Sequence, residues 1–349
     1  MEALKVVICF CLVGISTQTY TIQLTNDHDV IYRGKISVGT PPQEFEAIFH
    51  TGCTLTRFPV KGCQASGRFP HACDEGKTYD PSASTTSEYW SNFTVTRVNY
   101  THFGAAGREY FDTLTFRDTF TGKERAVPNV EIGAPDRLWG VDHAIVCLAN
   151  NAIGMSNSTL ADLSNRRIFP LVTVALRKCD AGYCENGGAI TFDNKDIKNC
   201  KPDYHTVPLI EGSFMWRFRL DLITLNGQLL PNTINSIGNP DTGNSYIHFP
   251  TSMIRTVASV LKAKKQGFYY TTDCNAKFTF GFEIKKKNYE VTEKHLLLNQ
   301  QIDGQCVLAI AENTYDKETF ILGAAFHRAV CVMYNLHNRR LAFAPTVDQ

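Results

Sequence analysis

From residue 35 onward the chain runs in short apolar-polar stretches separated by turn residues, the pattern of strands rather than of long helices. Residues 35–38, 44–49 and 93–100 read as strands of this kind. The segments 222–225 and 228–230 flank Asn226-Gly227, a two-residue signal for a tight hairpin. One helix stands out, over residues 251–265. Thr251 or Ser252 is placed to cap it, Ile254, Val257 and Leu261 fall on one face, and Gly267 is placed to stop it. Strands and helices do not alternate regularly, which argues against a nucleotide-binding α/β fold. The expected class is all-β.

Length and charge narrow the range of partners. A chain of 349 residues is long enough for two domains of ordinary size. Its 35 basic and 34 acidic residues leave no electrostatic footprint for nucleic acid. Residues 1–16 have the make-up of a secretory signal: Lys5, the apolar run 6–15, and the small residues Gly14 and Ser16 near the end. A run of about ten residues is too short to span a bilayer. The expectation is therefore a soluble, exported protein, secreted or lysosomal, with no membrane span. Of twelve cysteines, Cys9 and Cys11 leave with the signal, and the even number remaining suits an oxidising compartment. Asn92, Asn99 and Asn157 each begin an Asn-X-Ser/Thr glycosylation acceptor.

The candidate chemistry lies in two short loops, His50-Thr51-Gly52 and Asp241-Thr242-Gly243, about half a chain apart. A second pair of segments repeats at a similar spacing, Ile145-Val146-Cys147-Leu148 and Ile321-Leu322-Gly323-Ala324. The first loop is preceded by Tyr32-Arg33-Gly34-Lys35-Ile36-Ser37-Val38-Gly39-Thr40-Pro41-Pro42-Gln43-Glu44-Phe45. With these motifs the chain resembles the pepsin-like aspartic protease family, peptidase A1, over nearly all of its mature length, and residues 320–345 follow the family pattern without a gap. The resemblance implies two lobes with a cleft between them: residues 17–196 carrying the His-Thr-Gly loop and residues 197–349 carrying the Asp-Thr-Gly loop. It also implies an extended peptide or protein in the cleft, a monomer, and no cofactor. Family zymogens usually carry a longer inhibitory segment than the roughly fifteen residues expected here between signal and Tyr32.

In that family two aspartates share one proton, as in pepsin itself, and together activate a water. Here the first is His50, and an imidazolium beside the Asp241 carboxylate favours the charged form of both. The family includes a working enzyme with His-Thr-Gly in the first motif, so His50 as acid with Asp241 as base is one reading. The neighbours favour loss of activity. Tyr100 stands at the position of the tyrosine in the flap, the hairpin that closes over the cleft, but the usual glycine-rich tip is Thr101-His102-Phe103. Arg57 replaces a flap-contacting tryptophan, and Cys53 replaces a serine that hydrogen-bonds the first acid. Asn239-Pro240 stand where an apolar strand pair is usual, and proline donates no ladder bond. A glycan on Asn99 would sit on the flap.

Family position pairs Cys63 with Cys73, Cys274 with Cys306 and, as in nematode members, Cys200 with Cys331. Cys179 with Cys184 closes a small loop; as half of a metal site it lacks a second half, and no metal is expected. Cys53 and Cys147 remain. The family's usual glycine at the second position implies close approach of the two segments, so a bond between them is expected; two free thiols are the alternative, which spacing alone does not exclude. Three functional readings follow: a pseudoprotease that binds peptide or protein in the cleft, an active histo-aspartic endopeptidase, and a glycoprotein whose cleft is a relic.

Overall fold

The computed structural model describes residues 19–67, 70–74, 76, 78–90, 104–140, 144–150, 159–213, 215–314, 316 and 318–347. These form a pepsin-like, two-lobed fold made mostly of strands. One large sheet joins the two halves of the sequence. Within it Tyr20–Asp27 lies between Tyr183–Phe192 and Ile31–Val38, while Leu171–Leu176 pairs with Val330–Asn335 from the far end of the chain. Period-two burial explains why the Tyr20–Asp27 strand has one face in the core: Tyr20, Ile22 and Leu24 point inward and their neighbours do not. The second half adds separate sheets, including Phe218–Leu220, Ser236–Pro240, Thr319–Leu322, Ile247–Pro250 and Ile310–Asn313 side by side.

Each half places its Thr-Gly loop by the same device. The Gln43–His50 strand runs parallel to Ala144–Cys147, with His50 opposite Cys147. The Ser236–Pro240 strand runs parallel to Thr319–Leu322, with Pro240 opposite Leu322 and the Asp241 N–H donating to the Leu322 carbonyl at 3.0 Å. Aromatic clusters fill the space behind these strands: Phe116, Phe169 and Phe192 in the first half, Phe249, Phe280 and Phe320 in the second. Between the halves Arg328 is buried and donates to the carbonyls of Asp29 and His295. A buried guanidinium with such partners avoids the cost of an unpaired charge.

Several expectations change. The helix is shorter than the one read from the sequence, Thr251–Val260, and begins after Pro250 rather than at a hydroxyl cap. Lys264–Gln266 instead pairs with Tyr269–Thr272, so Gly267, at φ 61°, turns a hairpin rather than stopping a helix. The strand wins because Tyr270 can then be buried, a tertiary gain that local propensity does not contain. Pro240 does not interrupt its ladder, because Asp241 makes the bond to the neighbouring strand and the strand on the other side, Phe218–Leu220, pairs only as far as Gly238. The Asn226-Gly227 hairpin is present, both residues at positive φ. Lys285 and Lys286, both at positive φ, turn the hairpin between Thr279–Ile284 and Lys287–Thr292, and Lys287 is anchored to Asp203 at 2.7 Å. The expected strand over 93–100 lies outside the described residues, as does the signal segment.

Candidate active site

The two loops face each other and are cross-tied by their threonines. The Thr51 N–H donates to the Thr242 hydroxyl and the Thr242 N–H to the Thr51 hydroxyl, each at 3.1 Å. The hydroxyls in turn donate across to the carbonyls of Pro240 and Phe49. This mutual exchange leaves neither loop able to move without breaking bonds of the other. The glycines have a matching role. A side chain at Gly52 would run into the Asp241 carboxylate, and one at Gly243 into the His50 ring, so each loop is bare where the opposite functional group lies.

His50 Nε2 lies 3.0 Å from Asp241 Oδ1. The ring nitrogen is not aligned as a hydrogen-bond donor, so the contact is primarily electrostatic. The His50 side chain is 18% exposed and that of Asp241 5%, so the imidazole is the more open member of the pair. Oδ1 of Asp241 also accepts from the Gly243 N–H at 3.0 Å, and Oδ2 accepts from the Asn244 side-chain amide at 2.8 Å. Burial pushes the Asp241 carboxyl up, but the His50 charge and these donors outweigh it and hold the group below its usual range. The carboxylate is therefore ionised and well supplied with donors, and the group facing it across the loops is an imidazole where a second carboxyl would share its proton.

Behind the second loop, His327 is fully buried, its Nδ1 2.9 Å from the Gly323 carbonyl and its Nε2 2.7 Å from the Tyr334 hydroxyl. The carbonyl can only accept, so Nδ1–H donates to it, and in the neutral ring favoured by burial Nε2 accepts from Tyr334. Burial accordingly pushes His327 down to about 4.

Cys53 is bonded to Cys147, with Cα atoms 5.0 Å apart. The structure also joins Cys63–Cys73, Cys179–Cys184, Cys200–Cys331 and Cys274–Cys306. Arg57 is buried in the floor beneath the long strands Gly104–Arg117 and Glu124–Trp139, bridging Gly133 and Ile145. Tyr100, the tip Thr101-His102-Phe103, and the acceptors Asn92, Asn99 and Asn157 lie outside the described residues. Among the described residues no group of three His, Cys, Asp or Glu side chains could hold a metal ion, and no helix is long and apolar enough to cross a membrane.

Sequence reasoning missed Asn244. The signal was available, because Asn244 is the counterpart of Cys53 in the internal repeat. It also missed the threonine cross-tie and the environment of Asn239, which is buried with its Oδ1 unpartnered among the described residues. Asn239 lies opposite Ile321, which in turn lies opposite His248 on the third strand.

A family model described as eukaryotic aspartyl protease matches residues 31–346. Pregnancy-associated glycoprotein 2 of Bos taurus is 24% identical over 335 residues, covering 93% of this chain and 84% of that protein. Aspartic protease 6 of Caenorhabditis elegans is 25% identical over 94% of this chain and 85% of its own length. Cathepsin E-B of Xenopus laevis is 25% identical over 96% and 86%. Among solved structures, the aspartic proteinase from Irpex lacteus superposes with a TM-score of 0.76 at 17% identity, covering 94% of this chain and 98% of that one, a likeness of fold.

Proposed function

The chain belongs to the eukaryotic aspartyl protease family, and from that premise we propose that it is an exported homologue whose cleft binds extended peptide or protein while its hydrolytic activity is lost or strongly impaired. One observation carries this reading: Asp241 is a lone carboxylate held below its usual range by His50, Gly243 and Asn244. A carboxylate made more acidic is a weaker base toward water, and without a neighbouring carboxyl there is no shared proton to return to the substrate. The Cys53–Cys147 bond supports the reading, because it commits the side chain that follows the first Thr-Gly to a covalent partner. In this reading the lobes comprise residues 17–196 and 197–349, and the signal-like make-up of residues 1–16 supports export, to the outside or to the lysosome.

The test is incubation of the purified full chain with a diverse peptide pool between about pH 3 and 7, the range in which aspartate and histidine titrate. Mass spectrometry then reads cleaved products and, after capture on immobilised protein, intact bound peptides. Captured peptides with no fragments are the expected result. A statine-type inhibitor, which places a hydroxyl between two acids, should change nothing. Fragments that vanish in Asp241→Ala would replace this reading by the histo-aspartic one, with His50 as acid and Asp241 as base. Neither capture nor fragments would leave the cleft a relic.

A further inference from the structure

A second polar cavity lies outside the two Thr-Gly loops. Its volume is about 450 Å³, and it is formed where the helix Thr159–Asn165 and the turn after it meet the hairpin between Val330–Asn335 and Arg340–Pro345. Three of its lining residues, Arg167, His337 and Arg339, are exposed and have neither an ion-pair nor a side-chain hydrogen-bond partner among the described residues. They come from segments about 170 residues apart in sequence. The floor contributes Asn150, which is 1% exposed; its amide nitrogen reaches the Ser213 carbonyl at 3.4 Å, but its Oδ1 has no partner among the described residues.

Two unmet demands define the ligand. Two arginines converging on one concavity call for an anion, and guanidinium forks suit planar or tetrahedral oxyanions. A buried amide oxygen without a donor is destabilising, so a ligand that supplies a hydroxyl is favoured at the floor. Ser164 and Asn165 add further polar groups, while Leu336 and Ala161 give only small apolar contacts and no aromatic wall. The cavity is large enough for a small ligand. We propose that it binds an acidic sugar, a saccharide bearing a sulfate, phosphate or carboxylate. The charged group is met by Arg167, Arg339 and His337, and a ring hydroxyl donates to Asn150 Oδ1.

The experiment is isothermal titration of the full chain, under one fixed set of buffer conditions, with N-acetylglucosamine 6-sulfate, glucose 6-phosphate, glucuronate, neutral glucose and sodium sulfate. The variant Arg167→Gln with Arg339→Gln is titrated alongside; both positions are exposed, so the fold is retained. At least one acidic sugar is expected to bind at least tenfold more tightly than glucose or free sulfate, and the double variant should lose at least tenfold of that affinity. Three results would each overturn the proposal: no acidic sugar binds, the double variant binds unchanged, or free sulfate binds as tightly as the sulfated sugar.

Discussion

At the fourth position of the first Thr-Gly loop Cys53 is joined to Cys147, whereas at the fourth position of the second Asn244 donates to the carboxylate of Asp241. The backbones around them are alike: each loop follows a strand that runs parallel to its partner segment, and each glycine is bare beneath the opposite functional group. The second half keeps Gly323 where the first has Cys147. A side chain at Gly323 would collide with the Asn244 and Tyr246 carbonyls. In the first half that position carries one arm of a covalent tie instead. The walls beside the loops diverge as well. Ile48, Ile145 and the bridging Arg57 lie side by side in the first half, and Asn239, Ile321 and His248 lie across three neighbouring strands in the second. The first loop is thus held by covalent structure and the second by hydrogen bonds to a charge, so the two halves should respond to different perturbations.

The largest response should come from opening the covalent tie. Cys53→Ser with Cys147→Gly releases a link across a sequence separation of 94, for which the chain-entropy account gives about 4.6 kcal/mol. Opening Cys179–Cys184, at a separation of 5, should cost less. Urea denaturation of the two double variants, with the other disulfides intact, makes the comparison, and equal losses would break it.

Acid should act next, and on the second half first. The folded-state value of His327 is depressed, so its contribution is fully present above the ordinary histidine value of about 6.5 and is lost as pH falls toward about 4. That difference corresponds to about 3 kcal/mol. His295, also held at about 4 by burial and by Arg328, adds in the same direction. Asp241 is depressed too, but its contribution is present above about 3.9 and is lost only as pH falls further, through its folded value. Glu131, raised to about 7 by burial, acts in the opposite sense over the same window, so the test is the difference between proteins: denaturation midpoints between pH 7 and 4 should fall more steeply in the parent than in His327→Gln. Parallel profiles would show that His327 does not supply the slope.

Much of this contrast was legible in the residues. Two Thr-Gly loops, alternating strands and Asn226-Gly227 are local patterns, and local patterns specify strands and turns well. The family resemblance supplied three cysteine pairs, but only the fold brings Cys53 within 5.0 Å of Cys147. Other features depended on tertiary partners. Lys264–Gln266 became a strand because Tyr269–Thr272 returned beside it, and Pro240 is harmless because of where the adjacent strand ends. Neither Arg167 nor Arg339 announces a shared cavity, since their convergence is a property of the folded sheet rather than of either segment.

A smaller effect should follow from Asn244→Ala. Removing one donor from a buried carboxylate costs on the order of 2 kcal/mol, the range for hydrogen bonds to charged groups, and the Asp241 carboxyl should titrate closer to its usual value. Carbon-13 NMR of the side-chain carboxyl reads the titration, and urea denaturation reads the stability. An unchanged titration would mean that His50 and the Gly243 N–H alone set the charge of this group.

The smallest effect is expected from the substitution that most directly restores the family motif, His50→Asp. If the missing carboxyl were the whole difference between the halves, this one change would rebuild a shared proton and an activated water. The second loop shows what else is needed, because Asp241 is oriented by Asn244 on one oxygen and the Gly243 N–H on the other. At the matching place in the first loop Cys53 is bonded to Cys147 and cannot give a hydroxyl or amide proton to a new carboxylate. Two acids must be held within a fraction of an ångström to act together, and loss of such positioning costs on the order of a hundredfold in rate. The comparison is His50→Asp against the same change with Cys53→Ser and Cys147→Gly, assayed on one acid-denatured protein substrate. The single variant should stay near background, and the triple variant should exceed it by about a hundredfold. Equal turnover from the two would show that the first loop needs no donor at its fourth position, and the distinction drawn between Cys53 and Asn244 would then have no bearing on catalysis.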